Sequence, residues 1–132
     1  LFTREFYQMI YEALTDDGVL TVQSGAGDPL YPYLYGCVAR TLQEVFPIVR
    51  PYWCFVASFM LPWGFILASK KHDPLAIPRE EIARRIEQRG VQGLRYYDPG
   101  THYGMFGIPP YLREVISKAR VLTDEQPFLW EA

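Results

Sequence analysis

Only two of the 132 residues are cysteine. Neither Cys37 nor Cys54 has a second Cys or a His at metal-ligand spacing, which excludes a zinc site and a disulfide framework. Both read as buried thiols in a reducing compartment, and the cytoplasm follows as the expected location. Charge of one sign is lacking too: the formal net charge is -2, with both signs interspersed. The strongly basic surface that nucleic acid demands is therefore absent. No apolar run reaches the roughly 20 residues that span a bilayer. The longest, Trp53 to Leu67, is interrupted by Ser58, Pro62 and Gly64. The chain opens on Leu1 with no initiator Met and no signal-peptide pattern, so it reads as an internal segment of a longer protein. A nucleotide-binding glycine loop is missing as well, since Gly25-Ala26-Gly27 lacks the third Gly.

What is present is apolar and aromatic. Hydrophobic residues make up 49% of the chain and aromatics 16%, which is ample for a packed globular core. Thr3 caps a helix whose Phe6, Ile10, Ala13 and Leu14 share one face, and Asp16-Asp17-Gly18 stops it, Gly18 suiting a left-handed position. Val19 to Gln23 reads as a strand buried on both faces, of the type found in parallel sheets, with a loop from Ser24 to Pro29 after it. From Pro32 to Phe46 the positions Leu34, Val38, Leu42 and Val45 mark a second helix. Ile48 to Val56 and Trp63 to Ser69 read as two strands whose short link permits only antiparallel pairing, and Pro51 argues for an edge or entry position in the first. Pro78 opens a charged helix through Gln88, closed by Gly90. Leu94 to Tyr97 reads as a short extended piece, and a last helix follows Pro109-Pro110. The sum is one α/β domain, a mostly parallel sheet ending in an antiparallel hairpin.

Ligands of open α/β sheets gather at the carboxyl ends of strands. That rule selects Gln23 with its following loop, and the turn from Ser58 to Trp63. Gln, Asp, Phe and Trp in one neighbourhood suit a ligand that is part cationic and part alkyl.

Several motifs in order make the reading specific. Leu1-Phe2-Thr3-Arg4-Glu5-Phe6-Tyr7 resembles the stretch after the catalytic Asp-rich loop of spermidine synthases, and Asp17-Gly18-Val19-Leu20 with Gln23 is similar to the next strand of that family. Ser58-Phe59, Trp63-Gly64-Phe65 and Leu67-Ala68-Ser69-Lys70 resemble its acceptor-site hairpin. Tyr96-Tyr97-Asp98-Pro99, His102, Phe106 and Pro109 resemble its terminal segment. The resemblance to the polyamine aminopropyltransferases covers nearly the whole chain. It implies the C-terminal half of a Rossmann-like, methyltransferase-type fold, with residues 1–132 forming part of a single catalytic domain.

The resemblance further implies transfer of an aminopropyl group from decarboxylated S-adenosylmethionine, a co-substrate rather than a bound cofactor, to an amine. In that family the catalytic residues and the donor loop would lie upstream of Leu1, so no catalytic residue is expected here and the segment alone is expected to be inactive. Gln23 would face the amine, Phe59 and Trp63 would wall its methylenes, Asp28 would pair a distal ammonium, and Leu1 would border the donor's adenine. The intact parent is expected to be a homo-oligomer with neither nucleic acid nor membrane as partner. Diamine-using relatives carry a Tyr at the place of Phe59 and a longer turn than Met60-Leu61-Pro62. In these respects, and in the tail Thr123 to Phe128, the chain is closer to thermospermine synthases and to the triamine and agmatine aminopropyltransferases of thermophiles. Spermidine or agmatine is therefore favoured over putrescine.

Each residue also has a plain structural reading. Trp63 and Phe59 could be hairpin core, Gln23 a strand-end polar group, and Arg84 and Arg85 with Glu80 and Glu81 a solvated helix face with i,i+4 pairs. His102 is expected to make a structural hydrogen bond, because nothing near it forms a nucleophile or metal set. A methyltransferase on the same fold, or a non-catalytic binding or assembly domain, remains the alternative.

Overall fold

The computed structural model describes residues 1–129. Helix α1 (Arg4–Ala13) begins where expected, with the Thr3 side chain accepting the Phe6 amide at 3.4 Å. Its end differs from expectation. Gly18 has no positive φ; a Cβ there would lie 2.7 Å from Leu14 Cβ, so close approach rather than left-handed backbone is what requires glycine.

Strand β1 (Val19–Ala26) is longer than its expected span, and it is not buried on both faces. Leu20, Val22 and Ser24 point inward while Val19, Thr21 and Gln23 are exposed, the alternation of a strand covered on one side. Helix α2 (Tyr33–Gln43) follows, then β2 (Ile48–Val56) and β3 (Leu61–Ser69). The sheet order is β1-β3-β2, and β3 runs antiparallel to both neighbours. The expected hairpin is present, and β2, which carries Pro51, lies at an edge. The expected parallel neighbour of β1 is not among the described residues, where every pairing is antiparallel. Sequence patterning could not reveal that β3 inserts between β1 and β2, since insertion is a tertiary choice.

A short 3-10 turn (Pro74–Ala76) leads to α3 (Arg79–Gln88), which Gly90 closes with φ +62°. Leu94 to Tyr97 joins no sheet. Instead the chain forms α4 (Pro99–Phe106) and then the expected α5 (Pro110–Lys118). Cys37 is fully buried; Cys54 is only half-buried, on β2, an edge strand among the described residues.

The core lies between the sheet and α2. Tyr35, Val38, Ala39 and Leu42 of α2 meet Ile66 and Ala68 of β3, with Ile108, Leu112 and Ile116 closing the far side. Each fully buried Leu or Ile side chain contributes about 1.5–3 kcal/mol. The C-terminal tail is bonded into this core. Thr41 Oγ1 donates to Cys37 O at 2.7 Å and accepts the Leu122 amide at 2.9 Å, and the Arg4 amide donates to Leu122 O at 2.8 Å. One threonine thereby couples α2 to the tail, and the tail holds the start of α1. No helix among the described residues is long and apolar enough to cross a membrane.

Candidate functional site

The carboxyl end of β1 is irregular. Gln23 pairs with Phe65 and Ala26 with Trp63, so Ser24 and Gly25 stand opposite Gly64 alone. This is a β-bulge, a device that re-aims side chains and recurs beside active sites. Gly25 sits at φ +92°, which the bulge requires and a side chain would strain. The next residue but one, Gly27, donates its amide to Pro62 O at 2.9 Å, tying the loop to the start of β3.

Residues directly opposite across an antiparallel pair share a face. Gln23, Phe65 and Tyr52 therefore form one row, and Trp63 with Cys54 forms the next, on the face away from α2. The Tyr52 and Phe65 rings stack at 5.4 Å, and Phe106 of α4 lies 5.2 Å from Tyr52. The hairpin turn spans Ala57 to Met60 rather than Ser58 to Trp63, so Pro62 and Trp63 belong to β3. Met60 takes φ 56° to close it. The turn folds Phe59 back over the strand, with its ring 4.4 Å from that of Trp63. Phe59 remains 44% exposed, whereas the Trp63 indole N–H is buried without an acceptor among the described residues.

Gln23, Trp63 and Phe59 are thus brought to one face at one end of the sheet. Asp28 lies in the loop after the bulge. It is buried, and its Oδ1 accepts the Leu30 and Tyr31 amides at 2.8 and 3.3 Å, shaping its own turn. Its neighbour is Tyr111 of α5, whose hydroxyl donates to Gly27 O at 2.5 Å. Burial pushes the Tyr111 phenol up, and the Asp28 carboxylate beside it adds to the shift. Asp28 Oδ2 is buried with no partner among the described residues. Leu1 is 86% exposed ahead of α1.

His102 is buried between two bonds, Nδ1 to the Tyr97 hydroxyl at 2.9 Å and Nε2 to Pro74 O at 2.8 Å. Both nitrogens are engaged, which bears out a structural role. Arg84 and Arg85 pair with Glu81 at 2.6 Å on an exposed face. Among the described residues, no group of three or more His, Cys, Asp or Glu could hold a metal ion.

A protein-family model described as the spermine/spermidine synthase domain matches residues 1–77. The chain belongs to the spermine/spermidine synthase family. Polyamine aminopropyltransferase 2 of Hyperthermus butylicus is 38% identical over 128 residues, covering 96% of this chain and 42% of that protein. The polyamine aminopropyltransferase of Sulfolobus acidocaldarius is 37% identical over 129 residues, with the same coverage. A spermidine synthase solved in complex with the transition state analogue AdoDATO superposes with a TM-score of 0.74 at 31% identity, covering 89% of this chain and 40% of that one. Spermidine synthase from Thermotoga maritima gives 0.73 at 30% identity. The chain spans about two fifths of the length of these relatives. As a spermine/spermidine synthase segment it carries part of their Rossmann-like α/β fold, with β3 as the antiparallel strand of the hairpin end.

Sequence reasoning missed three elements of this region: the bulge, α4, and a cleft of about 330 Å³ between α4 and the outer edge of β2. The signal for α4 was present. Asp98-Pro99 is a helix start, and Asp98 Oδ1 accepts the Thr101 amide at 2.6 Å.

Proposed function

We propose that this chain is the C-terminal portion of an aminopropyltransferase of polyamine biosynthesis, and that the parent transfers an aminopropyl group from decarboxylated S-adenosylmethionine to an amine. The family match carries this reading. The convergence of Gln23, Trp63 and Phe59 on one sheet face supports its acceptor half. The amine nitrogen bonds to the methylene carbon beside the sulfonium, and the carbon–sulfur bond gives its electron pair to sulfur. Methylthioadenosine leaves as a neutral thioether, and the new ammonium loses a proton. An ordinary alkyl ammonium has a pKa near ~10.4, so a carboxylate upstream of Leu1 must deprotonate it before attack. Gln23 accepts a hydrogen bond from the attacking amine. Trp63 and Phe59 flank the methylenes, and their ring faces attract an ammonium for about 0.5–2 kcal/mol.

Asp28 is assigned a narrower part than pairing a distal ammonium, because its Oδ1 is engaged by the Leu30 and Tyr31 amides of its own turn. Its part is to shape the loop after the bulge. Leu1, exposed ahead of α1, borders the donor. The parent acts in the cytoplasm as a homo-oligomer, with neither nucleic acid nor metal involved.

The favoured acceptor is spermidine or agmatine. A short diamine needs a polar group for its second ammonium, and the Phe59 ring offers none; a missing charged hydrogen bond costs about 1.5–3 kcal/mol. The test is turnover by the full-length parent. Methylthioadenosine should appear only when decarboxylated donor and amine are both present. Methyl transfer from S-adenosylmethionine instead would overturn the reading. A native preference for putrescine of about tenfold in kcat/KM, or 1.4 kcal/mol, would sink the acceptor assignment, and Phe59→Tyr should shift preference toward putrescine.

A further inference from the structure

We propose that Tyr111 of α5 is a positioning residue for the acceptor face: its hydroxyl fixes the Gly27 peptide and, through that peptide, the places of Gln23 and Trp63. This rests on the aminopropyltransferase reading, which gives those two side chains to the amine. It adds a residue that touches neither substrate. Tyr111 packs against the core, on a helix that contacts α2, and it acts on the other face of the sheet through backbone alone.

The Gly27 peptide is a junction. Gly27 is buried, and both of its backbone groups are engaged. Its amide donates to Pro62 O at 2.9 Å, and its carbonyl accepts the Tyr111 hydroxyl at 2.5 Å. One peptide thereby joins the loop after β1, the start of β3, and a helix 84 residues further along the chain. Its neighbours belong to the acceptor face. Ala26, which precedes Gly27, is the register partner of Trp63, and Pro62, which receives the Gly27 amide, precedes Trp63.

The strand end needs an outside hold. Between Gln23 and Ala26 the pairing shifts, and a bulge interrupts the regular ladder that elsewhere keeps β1 in register with β3. Glycine stands at 25 and again at 27. A glycine takes positive and negative φ about equally well, so the value of +92° at Gly25 is imposed by the surroundings rather than chosen by the residue. Past the bulge, the surroundings are the Ala26 pairing, the Pro62 bond and the Tyr111 bond.

The hydroxyl suits the task. A backbone carbonyl only accepts, so Tyr111 must donate, and donation requires the protonated phenol. Burial and the nearby Asp28 carboxylate both favour that form. The bond to Gly27 O therefore persists across the neutral pH range. Without the hydroxyl, a buried carbonyl would lose its donor, a costly state that the peptide relieves by turning toward another partner. Such a turn carries Ala26 and Pro62 with it. Misplacement by about 1 Å at a reacting centre can cost about 10²-fold in rate, and a partial shift of the amine's wall should cost about a tenth of that.

Tyr111→Phe keeps the ring and removes only the hydroxyl. In the full-length parent it should lower kcat/KM for the amine about tenfold, with the loss carried by KM, while affinity for methylthioadenosine changes less than twofold. Ile116→Val is the control, since Ile116 lies in the core on the same helix and bonds nothing in the loop. It should leave the amine KM within twofold of the wild type. Amide hydrogen exchange supplies a readout independent of turnover: the segment from Ser24 to Asp28 should exchange about tenfold faster in Tyr111→Phe and at the wild-type rate in Ile116→Val. Faster exchange with an unchanged amine KM overturns the positioning role. So does unchanged exchange in Tyr111→Phe, an equal loss for amine and methylthioadenosine, or an equal rise of the amine KM in Ile116→Val. A wild-type parent that releases no methylthioadenosine from decarboxylated donor and amine is a different result, because it removes the aminopropyltransferase reading itself and the positioning role with it.

Discussion

The two faces of the three-stranded sheet are built from the same strands and differ in almost every other respect. Toward α2, Ile66 and Ala68 are fully buried and Gly64 lies against the Tyr35 ring. On the opposite face Val19, Thr21 and Gln23 stand exposed, and Phe106 of α4 lies against Tyr52 of the aromatic row. The first face is tightly packed at Gly64, and the second is partly exposed beside the Trp63 indole N–H, which is buried without an acceptor among the described residues. Packed and exposed positions are thus separated by the period of two along each strand, so neighbouring residues such as Trp63 and Gly64 face opposite sides of the sheet.

Gly64→Ala probes that separation most severely. A Cβ on Gly64 would lie 2.3 Å from Tyr35 Cδ2, within the body of a fully buried ring whose hydroxyl is bonded to Tyr52 O. The ring cannot swing away without losing that bond. Overpacking of this kind costs about 1–3 kcal/mol, and the value belongs at or beyond the upper end. Denaturant unfolding should show a lowered midpoint with an unchanged slope. A variant as stable as the wild type would mean that the covered face is looser than its geometry.

Trp63→Ala, one residue away on the other face, should reverse the pattern. Its indole is partly exposed and meets Phe59, so the cost should fall on the acceptor. In the full-length parent the KM for amine should rise about tenfold, equivalent to 1.4 kcal/mol, with donor affinity held within about threefold. Equal losses for donor and acceptor would make Trp63 a core residue and dissolve the contrast between the faces.

The sequence announced the elements that depend on local chemistry. Helical spacing of Leu34, Val38 and Leu42 marked α2, Pro78 and Gly90 bracketed α3, and the Pro109-Pro110 start marked α5. It did not announce what depends on the neighbours of a segment. Val19 to Gln23 is apolar enough for a doubly covered strand, yet among the described residues a helix packs on one of its faces only. The position of β3 between β1 and β2 leaves no trace in spacing, nor does the bulge at Ser24 and Gly25. Gln23, Phe59 and Trp63 were singled out by strand ends and motif, and the shared face became visible only in the register and the ring contact. Asp28 was singled out by composition, and its turn accounts for one of its two carboxylate oxygens. The tail bonded through Leu122 and Thr41 joins residues 81 apart in sequence.

The smallest effect expected on the open side concerns Arg50 and Asp73. Arg50 belongs to the row after Tyr52 on that face, and it reaches past the strand end to hold Asp73 through two bonds of 2.9 and 2.5 Å. Hydrogen bonding from Arg50 holds the Asp73 carboxyl below its ordinary range, with the Leu75 amide and the Arg50 charge adding to it against partial burial. A carboxyl lowered in the folded state binds its proton less readily there than in the unfolded chain. Its contribution is therefore fully present above the unfolded pKa of about 3.9 and is lost as pH falls through the lowered folded value. The Arg50 and Asp73 side chains are 39% and 23% exposed, so solvent screening limits the pair to at most about 1 kcal/mol. Asp73→Asn isolates it, because an amide oxygen can still accept the Leu75 amide at 3.0 Å that caps the 3-10 turn. The stability difference between wild type and Asp73→Asn should be flat from pH 7 down to about 5. It should then shrink toward zero under more acid conditions, and addition of 1 M salt at pH 7 should remove much of it. A difference that persisted unchanged below the folded pKa would show that Asp73 acts through the turn cap and not through Arg50.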